Sequence, residues 1–410
     1  MENNKTVKAK QKMSVHMGLV SSIFAIVIGL LVGFIILLIS NPAQAVPGFQ
    51  MILTGALDEG MRGIGQVLYY ATPIICTGLG VGFAFKTGLF NIGASGQFIM
   101  GGFAAVTVGI TCTQLGSVHW IVALLASVIA GALWALIPGI LKAYANINEV
   151  IACIMTNYIG MYLVNWIIKD TPVLFNRMEN RSKPVASTAN IPKAGLNELF
   201  TGSYVNLGIL IAIGAAILIY IILTKTTFGF ELRAVGFNRD ASRYAGINEK
   251  KSIVLSMVIS GALAGLGGGL FYLAGSGQYI EVVDELAATG FEGISVALLG
   301  LSNPLGIVLS AIFIAYIQQG GFYLQLFEFS NEIIDIIIAV IIYFSAFSLI
   351  VRTFLTKKSK RKKANDTTGL TDSASPQIPA PLHQSMPLEK AKAGDVGDQN
   401  DLNEEEGGEQ

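Results

Sequence analysis

Charged side chains are scarce in this sequence, and their scarcity excludes a soluble protein over most of the chain. Only 13% of the 410 residues are Asp, Glu, Lys or Arg, whereas soluble domains average about 25%. The charges crowd into the two ends and two internal stretches, and long apolar runs lie between them. Because about 20 helical residues cross the hydrocarbon core of a bilayer, these runs predict transmembrane helices.

Cysteine and histidine are also sparse, which argues against a disulfide framework or a metal site. The three cysteines have no CxxC spacing and lie in apolar segments, so we interpret them as small buried hydrophobic residues: Cys76, Cys112 and Cys153. The three histidines show no HExxH or other ligand spacing. We therefore assign no metal.

A nucleotide-binding loop is missing too. The nearest match runs from Gly80 to Thr87, but Phe85 stands where a Walker A loop requires glycine before the lysine. No polar stretch is long enough to be an ATPase domain. The sequence therefore predicts a protein that is not an enzyme and binds no cofactor itself, so that any ATP driving it is hydrolysed on another subunit.

Ten apolar segments predict an all-α protein, a polytopic transmembrane helical bundle of about ten spans. They cover residues 18–40, 66–85, 90–113, 118–141, 147–168, 204–224, 252–275, 287–301, 304–320 and 332–352. The eighth and ninth are short, and one long helix bent around Asn303 and Pro304 is an alternative. The first follows lysines, as a signal peptide would, but its apolar run is too long for one, so we predict a retained helix.

Positive charge predicts the orientation, because cytoplasmic loops carry an excess of Lys and Arg. Basic residues precede the first span, cluster between spans six and seven, and follow the last. With an even number of spans these groups share one side, so both termini are predicted to be cytoplasmic. The basic segment 169–203 falls outside on this count, but it is long and broken by prolines, and long loops obey the rule less strictly.

The two ends of the chain differ from its centre. Residues 1–17 are predicted to be a cytoplasmic N-terminal segment, and residues 18–352 the transmembrane domain. Residues 353–410 are basic and then acidic, contain four prolines and have few apolar residues, so we expect a disordered cytoplasmic tail. That tail is either regulatory or a dispensable solvated segment.

Polar residues within the spans are candidates for a substrate pathway, because polar groups in a bilayer tend to face a cavity or a partner. The alternative is that they join helices by hydrogen bonds or cap helix ends. Gly261, Gly265 and Gly269 recur every four residues and predict close packing of span seven. The pathway candidates are Asn91, Gln97, Glu149, Asn157, Tyr158 and Glu292.

The loop between spans six and seven, residues 225–251, has the pattern of a short capped helix. Asn238 suits an N-cap, and Gly246 suits the position just past a helix C-terminus. Between them, residues 239–245 are predicted to form about two turns, with Ala241 and Tyr244 on one face. One interpretation is that the short helix 239–245, called the knob below, is a rigid projection to which another protein binds. The other is that this is an ordinary basic loop whose positive charge only fixes the membrane topology.

This loop resembles the coupling loop of permease subunits in ATP-binding-cassette importers of the branched-chain amino acid, ribose and nucleoside group. Three further segments agree in order and spacing. They are Gly88 to Gln97 (GLFNIGASGQ), Asn148-Glu149-Val150-Ile151 with Asn157-Tyr158, and Gly290 to Gly300 (GFEGISVALLG) followed by Asn303-Pro304. Together they look most like the nucleoside-type permeases, and the resemblance covers roughly residues 15–352.

The resemblance implies a multi-pass protein of the cell membrane that imports a nucleoside or a related simple sugar. Its implied partners are a cytoplasmic ATPase subunit that holds the ATP, an extracellular substrate-binding lipoprotein, a second permease chain in a homo- or heterodimer, and membrane lipid, with no nucleic acid. It implies ATPase coupling by Glu231, Arg233, Gly236, Asn238, Arg239, Ala241, Tyr244 and Gly246.

An ion-gradient-driven secondary transporter of a small polar solute is the alternative from another class. Such a protein needs ionisable residues at mid-membrane and often has inverted repeats. We find no convincing repeat in the sequence, and the acidic residues lie near the predicted span ends.

Overall fold

A computed structural model describes residues 23–24, 26–330, 332–333, 335–340 and 343–344. The predicted N-terminal segment 1–17, much of the tenth span and the tail 353–410 lie outside these residues. All statements about the fold concern the described part of the chain.

Helices dominate this part of the chain. The α-helices are α1 (Ile26–Ser40), α2 (Ala45–Asp58), α3 (Met61–Lys86), α4 (Ala94–Thr111), α5 (His119–Ala145), α6 (Glu149–Asp170), α7 (Leu196–Leu199), α8 (Gly208–Lys225), α9 (Thr227–Phe237), α10 (Arg239–Tyr244), α11 (Glu249–Tyr272), α12 (Ala288–Leu299) and α13 (Pro304–Phe322). Residues 335–340 are helical as well. One short antiparallel pair joins β1 (Phe175–Asn176) to β2 (Arg181–Ser182).

Seven of these helices are long and apolar enough to cross a membrane: α3, α4, α5, α6, α8, α11 and α13. Helices α1 and α12 are apolar but shorter. This confirms a polytopic helical membrane protein, and each of the seven overlaps one predicted span.

Helix α2 was not predicted. Its 14 residues are too few for a span, so the search for long apolar runs passed over it. It packs instead against α13 and the 3₁₀ turn Tyr323–Phe327, burying Ala45, Ile52 and Ala56.

The eighth and ninth predicted spans are two separate helices. Leu301 and Ser302 have positive φ angles of 54° and 51°, which no α-helix continues through. The Asn303 side chain then accepts a hydrogen bond from the Leu305 N–H at 3.0 Å, and Pro304 occupies the first turn of α13, where its missing N–H costs nothing.

Helices α3 and α11 form the centre of the bundle. In an apolar stretch of 18 residues, 89% of the residues of α3 and 67% of those of α11 are buried. The two helices pack against each other. The predicted close packing of the α11 glycines is confirmed, because a Cβ atom at Gly265 would lie 2.9 Å from Gly131 Cα of α5. A Cβ at Gly269 would likewise lie 2.8 Å from Ser127 Cβ.

Residues 273–287 connect α11 to α12 without regular structure of their own. They are held by the β1–β2 hairpin, since the Val282 N–H donates to Asn180 O at 3.1 Å and the Ser182 N–H donates to Ile280 O at 2.8 Å. These bonds satisfy backbone groups that would otherwise be unpaired in a non-helical segment. The segment thereby positions the start of α12.

Candidate functional site

Two of the predicted pathway residues, Asn91 and Gln97, face each other in the interior. Asn91 is fully buried, and its Nδ2 donates to Gln97 Oε1 at 2.8 Å and to Ser260 Oγ of α11 at 2.7 Å. Gln97 Nε2 returns a bond to Asn91 Oδ1 at 3.1 Å. The pair links the non-helical segment before α4 to α11.

Asn157 of α6 holds the same segment from the other side. Its Oδ1 accepts from the Gly96 N–H at 2.8 Å, and its Nδ2 donates to Ile92 O at 3.1 Å. Inside a bilayer such backbone groups have no water to replace a lost partner. The structure thus brings Asn91, Gln97 and Asn157 into one hydrogen-bonded cluster, and their role in a substrate pathway stays a prediction.

Glu149 and Tyr158 lie apart from this cluster. The Glu149 carboxylate forms an ion pair with Lys142 Nζ of α5 at 2.7 Å, which joins the neighbouring ends of α5 and α6. The Tyr158 side chain is 46% exposed on the surface of α6. A contact of either residue with substrate likewise remains a prediction.

Glu292 is different, because it lines a cavity of about 260 Å³ between four helices. Tyr70 of α3 also lines it, nine residues after Met61 and sixteen before Lys86. At about 1.5 Å per residue, the cavity lies about 14 Å from one end of α3 and therefore within the depth of the bundle. The lining residues are Tyr70, Pro73, Ile74, Phe271, Thr289, Glu292, Gln318, Gln319 and Phe322.

The polar wall of this cavity comes from α12 and α13. Gln318 Nε2 donates to Glu292 Oε1 at 2.7 Å, and Gln319 Nε2 donates to the Tyr323 hydroxyl at 3.2 Å. A carboxyl group and two amides at this depth are costly in contact with lipid, so they mark a cavity or a pathway.

The start of α12 is held firmly, and this fixes the Glu292 backbone. Thr77 Oγ1 of α3 donates to Thr289 O at 3.1 Å, and Ser95 Oγ of α4 donates to Ala287 O at 2.9 Å. Two carbonyl groups near the α12 N-terminus are therefore bonded to the two helices beside it. Helix α12 is placed by specific bonds as well as by packing.

Sequence reasoning missed most of the cavity. Gln318 and Gln319 stand together inside an apolar span, and that polar pair was a visible signal. Tyr70, Phe271 and Phe322 gave none, because aromatic residues are common throughout apolar spans.

The predicted knob in the loop 225–251 is present. Asn238 Oδ1 accepts from the Ala241 N–H at 2.9 Å, and Gly246 has a φ angle of 84° just past α10. These are the N-cap and C-terminal glycine expected from the sequence. Tyr244 at the end of α10 is 94% exposed, and Phe237 of the preceding helical segment is 89% exposed.

A second helix, α9, precedes the knob and was not predicted. Gly236 near its end lies against the residues that follow α3, since a Cβ atom there would be 2.6 Å from the Thr87 carbonyl carbon and would also meet Gly88. Only glycine permits this approach. Glu231 on α9 is exposed, and Arg233 Nε donates to Gly229 O at 3.3 Å.

Arg239, at the start of α10, points into the protein. Its Nη1 donates to Asn146 Oδ1 at 3.4 Å, in the turn between α5 and α6. Its Nε lies 3.4 Å from Glu249 Oε2 at the start of α11, without the alignment of a hydrogen bond. Arg239 therefore ties the knob to three long helices, whereas Ala241 and Tyr244 are exposed.

Comparison with known proteins places this arrangement in a family. The sequence model of one protein family, the permease component of the branched-chain amino acid transport system, matches residues 63–346. The chain belongs to this permease family. No solved structure gives a significant match.

Three curated relatives are similar to this permease over most of its length. The guanosine ABC transporter permease protein NupP of Bacillus subtilis is 40% identical, over 84% of this chain and 97% of that protein. The nucleoside ABC transporter permease protein NupB of Lactococcus lactis is 36% identical, over 84% and 95%. The glucose ABC transporter permease protein TsgB13 of Haloferax volcanii is 30% identical, over 74% and 81%.

Membership of this permease family implies partner proteins for the chain. A permease of an ABC transporter works with an ATPase subunit and a substrate-binding protein. We expect the ATPase to contact the exposed aromatic side chains of α9 and α10, because exposed aromatic residues are favoured anchors of protein interfaces.

Arg239 and Tyr244 should fail in different ways when replaced. Tyr244→Ala removes an exposed anchor, so the ATPase should bind at least about 30-fold more weakly, as for an interface hot spot. Arg239→Ala removes the contacts of Arg239 with Asn146 and Glu249 inside this chain. The ATPase should therefore still bind, while the amount of nucleoside taken up per ATP hydrolysed falls. Co-purification, and uptake beside ATP hydrolysis in the same vesicles, separate the two.

Tyr162→Ala is the control, because Tyr162 is an exposed tyrosine of α6 (54% exposed) away from the knob. It should leave both quantities unchanged. Full coupled uptake by both the Tyr244 and the Arg239 variants would show that this loop does not couple the two subunits.

Proposed function

We propose that this permease carries nucleosides into the cell, driven by ATP hydrolysed on a separate subunit. The names of the two relatives with the higher identities specify guanosine and nucleosides. The glucose permease is less similar and matches less of the chain. No observation favours an ion-gradient-driven transporter.

The cavity at Glu292 is the observation that carries the proposal. It combines three aromatic side chains with a carboxyl group, a hydroxyl group and two amides. A nucleoside presents an aromatic base and a hydroxyl-rich sugar, and these need an apolar flat surface and hydrogen-bonding groups respectively. Such a mixed wall suits a nucleoside better than it suits an amino acid or a simple sugar.

The permease acts within a larger assembly in this proposal. An extracellular substrate-binding lipoprotein delivers the nucleoside, a second permease chain completes the pathway, and lipid surrounds the bundle. The ATPase binds the ATP, and this chain binds no cofactor. The cluster of Asn91, Gln97 and Asn157 contributes to the substrate pathway, as do Glu149 and Tyr158 on α6.

Ten spans with both termini in the cytoplasm are part of the proposal. This count places the β1–β2 hairpin outside and α10 inside, in agreement with the basic residues beside α10. With the native cysteines replaced, Met178→Cys should react with an impermeant thiol reagent from outside, since this side chain is 98% exposed. Ala241→Cys should react only after permeabilisation, and its labelling from outside would refute the orientation.

Reconstituted transport tests the function directly. The permease, its ATPase, the second permease chain and the binding protein are placed in liposomes, and uptake of labelled guanosine is measured with and without ATP. We expect ATP-dependent uptake that excess uridine or adenosine reduces and excess glucose or leucine does not. Omitting the ATPase is the control and should abolish uptake.

Two outcomes would overturn the proposal. One is guanosine uptake that persists without ATPase subunits and follows an imposed ion gradient. The other is uptake that glucose suppresses completely while nucleosides do not.

A further inference from the structure

Among the described residues, one oxygen of the Glu292 carboxyl group has no hydrogen-bond partner. Its Oε1 accepts from Gln318, and within the described residues no other hydrogen bond reaches this group. Glu292 lines the cavity beside Thr289 and Gln319. An ionisable group at this depth requires a partner or water, so the second oxygen is available to a polar ligand in the cavity.

The side chain is also held in place. Gln318 fixes one of its oxygens, and the bond between Thr77 and Thr289 fixes the start of α12. A Cβ atom at Gly293, the next residue, would lie 2.7 Å from the Thr77 Cβ atom, so α12 packs directly on α3. The acceptor is therefore preorganised, which reduces the free-energy cost of binding a ligand to it.

Three aromatic side chains also line the cavity. Tyr70, Phe271 and Phe322 come from three different helices and line the same cavity. Every nucleobase has an aromatic face, so any of the bases can stack on an aromatic side chain. A carboxylate is the group that dinucleotide-binding proteins use to accept hydrogen bonds from the hydroxyl groups of ribose.

The charge of the cavity lining discriminates between neutral and anionic ligands. None of the described residues that line the cavity is basic, and Glu292 supplies an acidic group. Like charges repel strongly where water is scarce. A neutral nucleoside is therefore favoured over a nucleoside phosphate.

We propose that Glu292 accepts hydrogen bonds from the vicinal hydroxyl groups of ribose, so that this permease itself selects ribonucleosides over 2′-deoxyribonucleosides. This inference rests on the proposed function and adds a specificity-determining residue to it. The aromatic wall takes the base without selecting among bases, and Glu292 reads the sugar.

The test compares two substrates and two permeases in one reconstituted system. Uptake of guanosine and of 2′-deoxyguanosine is measured with the complete complex and the same saturated binding protein. The ratio of the two rates is taken for the wild type and for Glu292→Gln. Because the binding protein is identical, its own preference cancels when the two ratios are compared.

We expect the guanosine preference of the wild type to fall about tenfold in Glu292→Gln, because the amide replaces one of the two carboxyl oxygens with an N–H donor and so removes an acceptor for the ribose hydroxyl groups. Glutamine has the same shape and still accepts from Gln318. The matched control is Glu198→Gln on the exposed helix α7, which should keep the wild-type ratio. A guanosine monophosphate arm should show no uptake by the wild type.

Glu292→Asp gives an independent reading. It keeps the charge but withdraws the carboxylate by one methylene, so it should reduce the preference only partly. If Glu292→Gln does not assemble, this variant decides the question, and an unchanged ratio in it overturns the inference.

The remaining outcomes are distinct. No ATP-dependent uptake of either nucleoside by the wild type would overturn the proposed function and this inference together. Normal uptake with equal ratios in the wild type and Glu292→Gln would overturn the role of Glu292 and leave the proposed function standing.

Discussion

Close packing around α3 is the constraint on which the rest of this structure depends. Helix α3 is buried along almost its whole length and packs against α8, α11, α12 and α13. Its middle lines the cavity through Tyr70, and the residues after its end meet Gly236 of α9. Because packed interiors resist deformation, we propose that a displacement of α9 is transmitted to α3 and hence to the cavity wall. One helix thereby joins the cavity to the loop on which an ATPase would act, and Arg239 adds a second route through Glu249 and α11.

Satisfaction of polar groups separates structural residues from candidate ligand residues. Asn91 and Gln97 bond to each other, Asn91 also donates to Ser260, and Asn157 bonds to the backbone of Ile92 and Gly96. Within the part of the chain that the structure describes, Glu292 accepts one hydrogen bond, and it lines a cavity. In a bilayer every polar group needs a hydrogen-bond partner. The Glu292 carboxyl group can accept further hydrogen bonds, so it is the better candidate for contact with the substrate. We therefore propose that α12 and α13 recognise the substrate and that the amide cluster supports the helices around them.

Much of the fold followed from the sequence, and so did the local form of the knob. Apolar length alone predicted ten spans, of which seven correspond to described helices long enough to cross a membrane. The cap residues Asn238 and Gly246 predicted α10, because both signals depend on residues close together in the chain. Helix α2 was missed, because its 14 residues are too few to be recognised as a span. The cavity also escaped, apart from Glu292. Its walls come from residues 70 to 322, and no local pattern shows that Tyr70, Phe271 and Gln318 meet. For the same reason the inward direction of Arg239 toward Asn146 and Glu249 was not predictable, although Arg239 itself was singled out.

The most direct test of the coupling between knob and cavity is the accessibility of the cavity in two nucleotide states. Thr289→Cys is introduced into a chain lacking Cys76, Cys112 and Cys153, and the assembled transporter is treated from outside with an impermeant thiol reagent. The account predicts that the labelling rate differs about tenfold between nucleotide-free and ATP-trapped complexes, within the usual range of coupling between distant sites, and that Tyr244→Ala abolishes this difference. Equal labelling in both nucleotide states, in a complex that still transports, would contradict it.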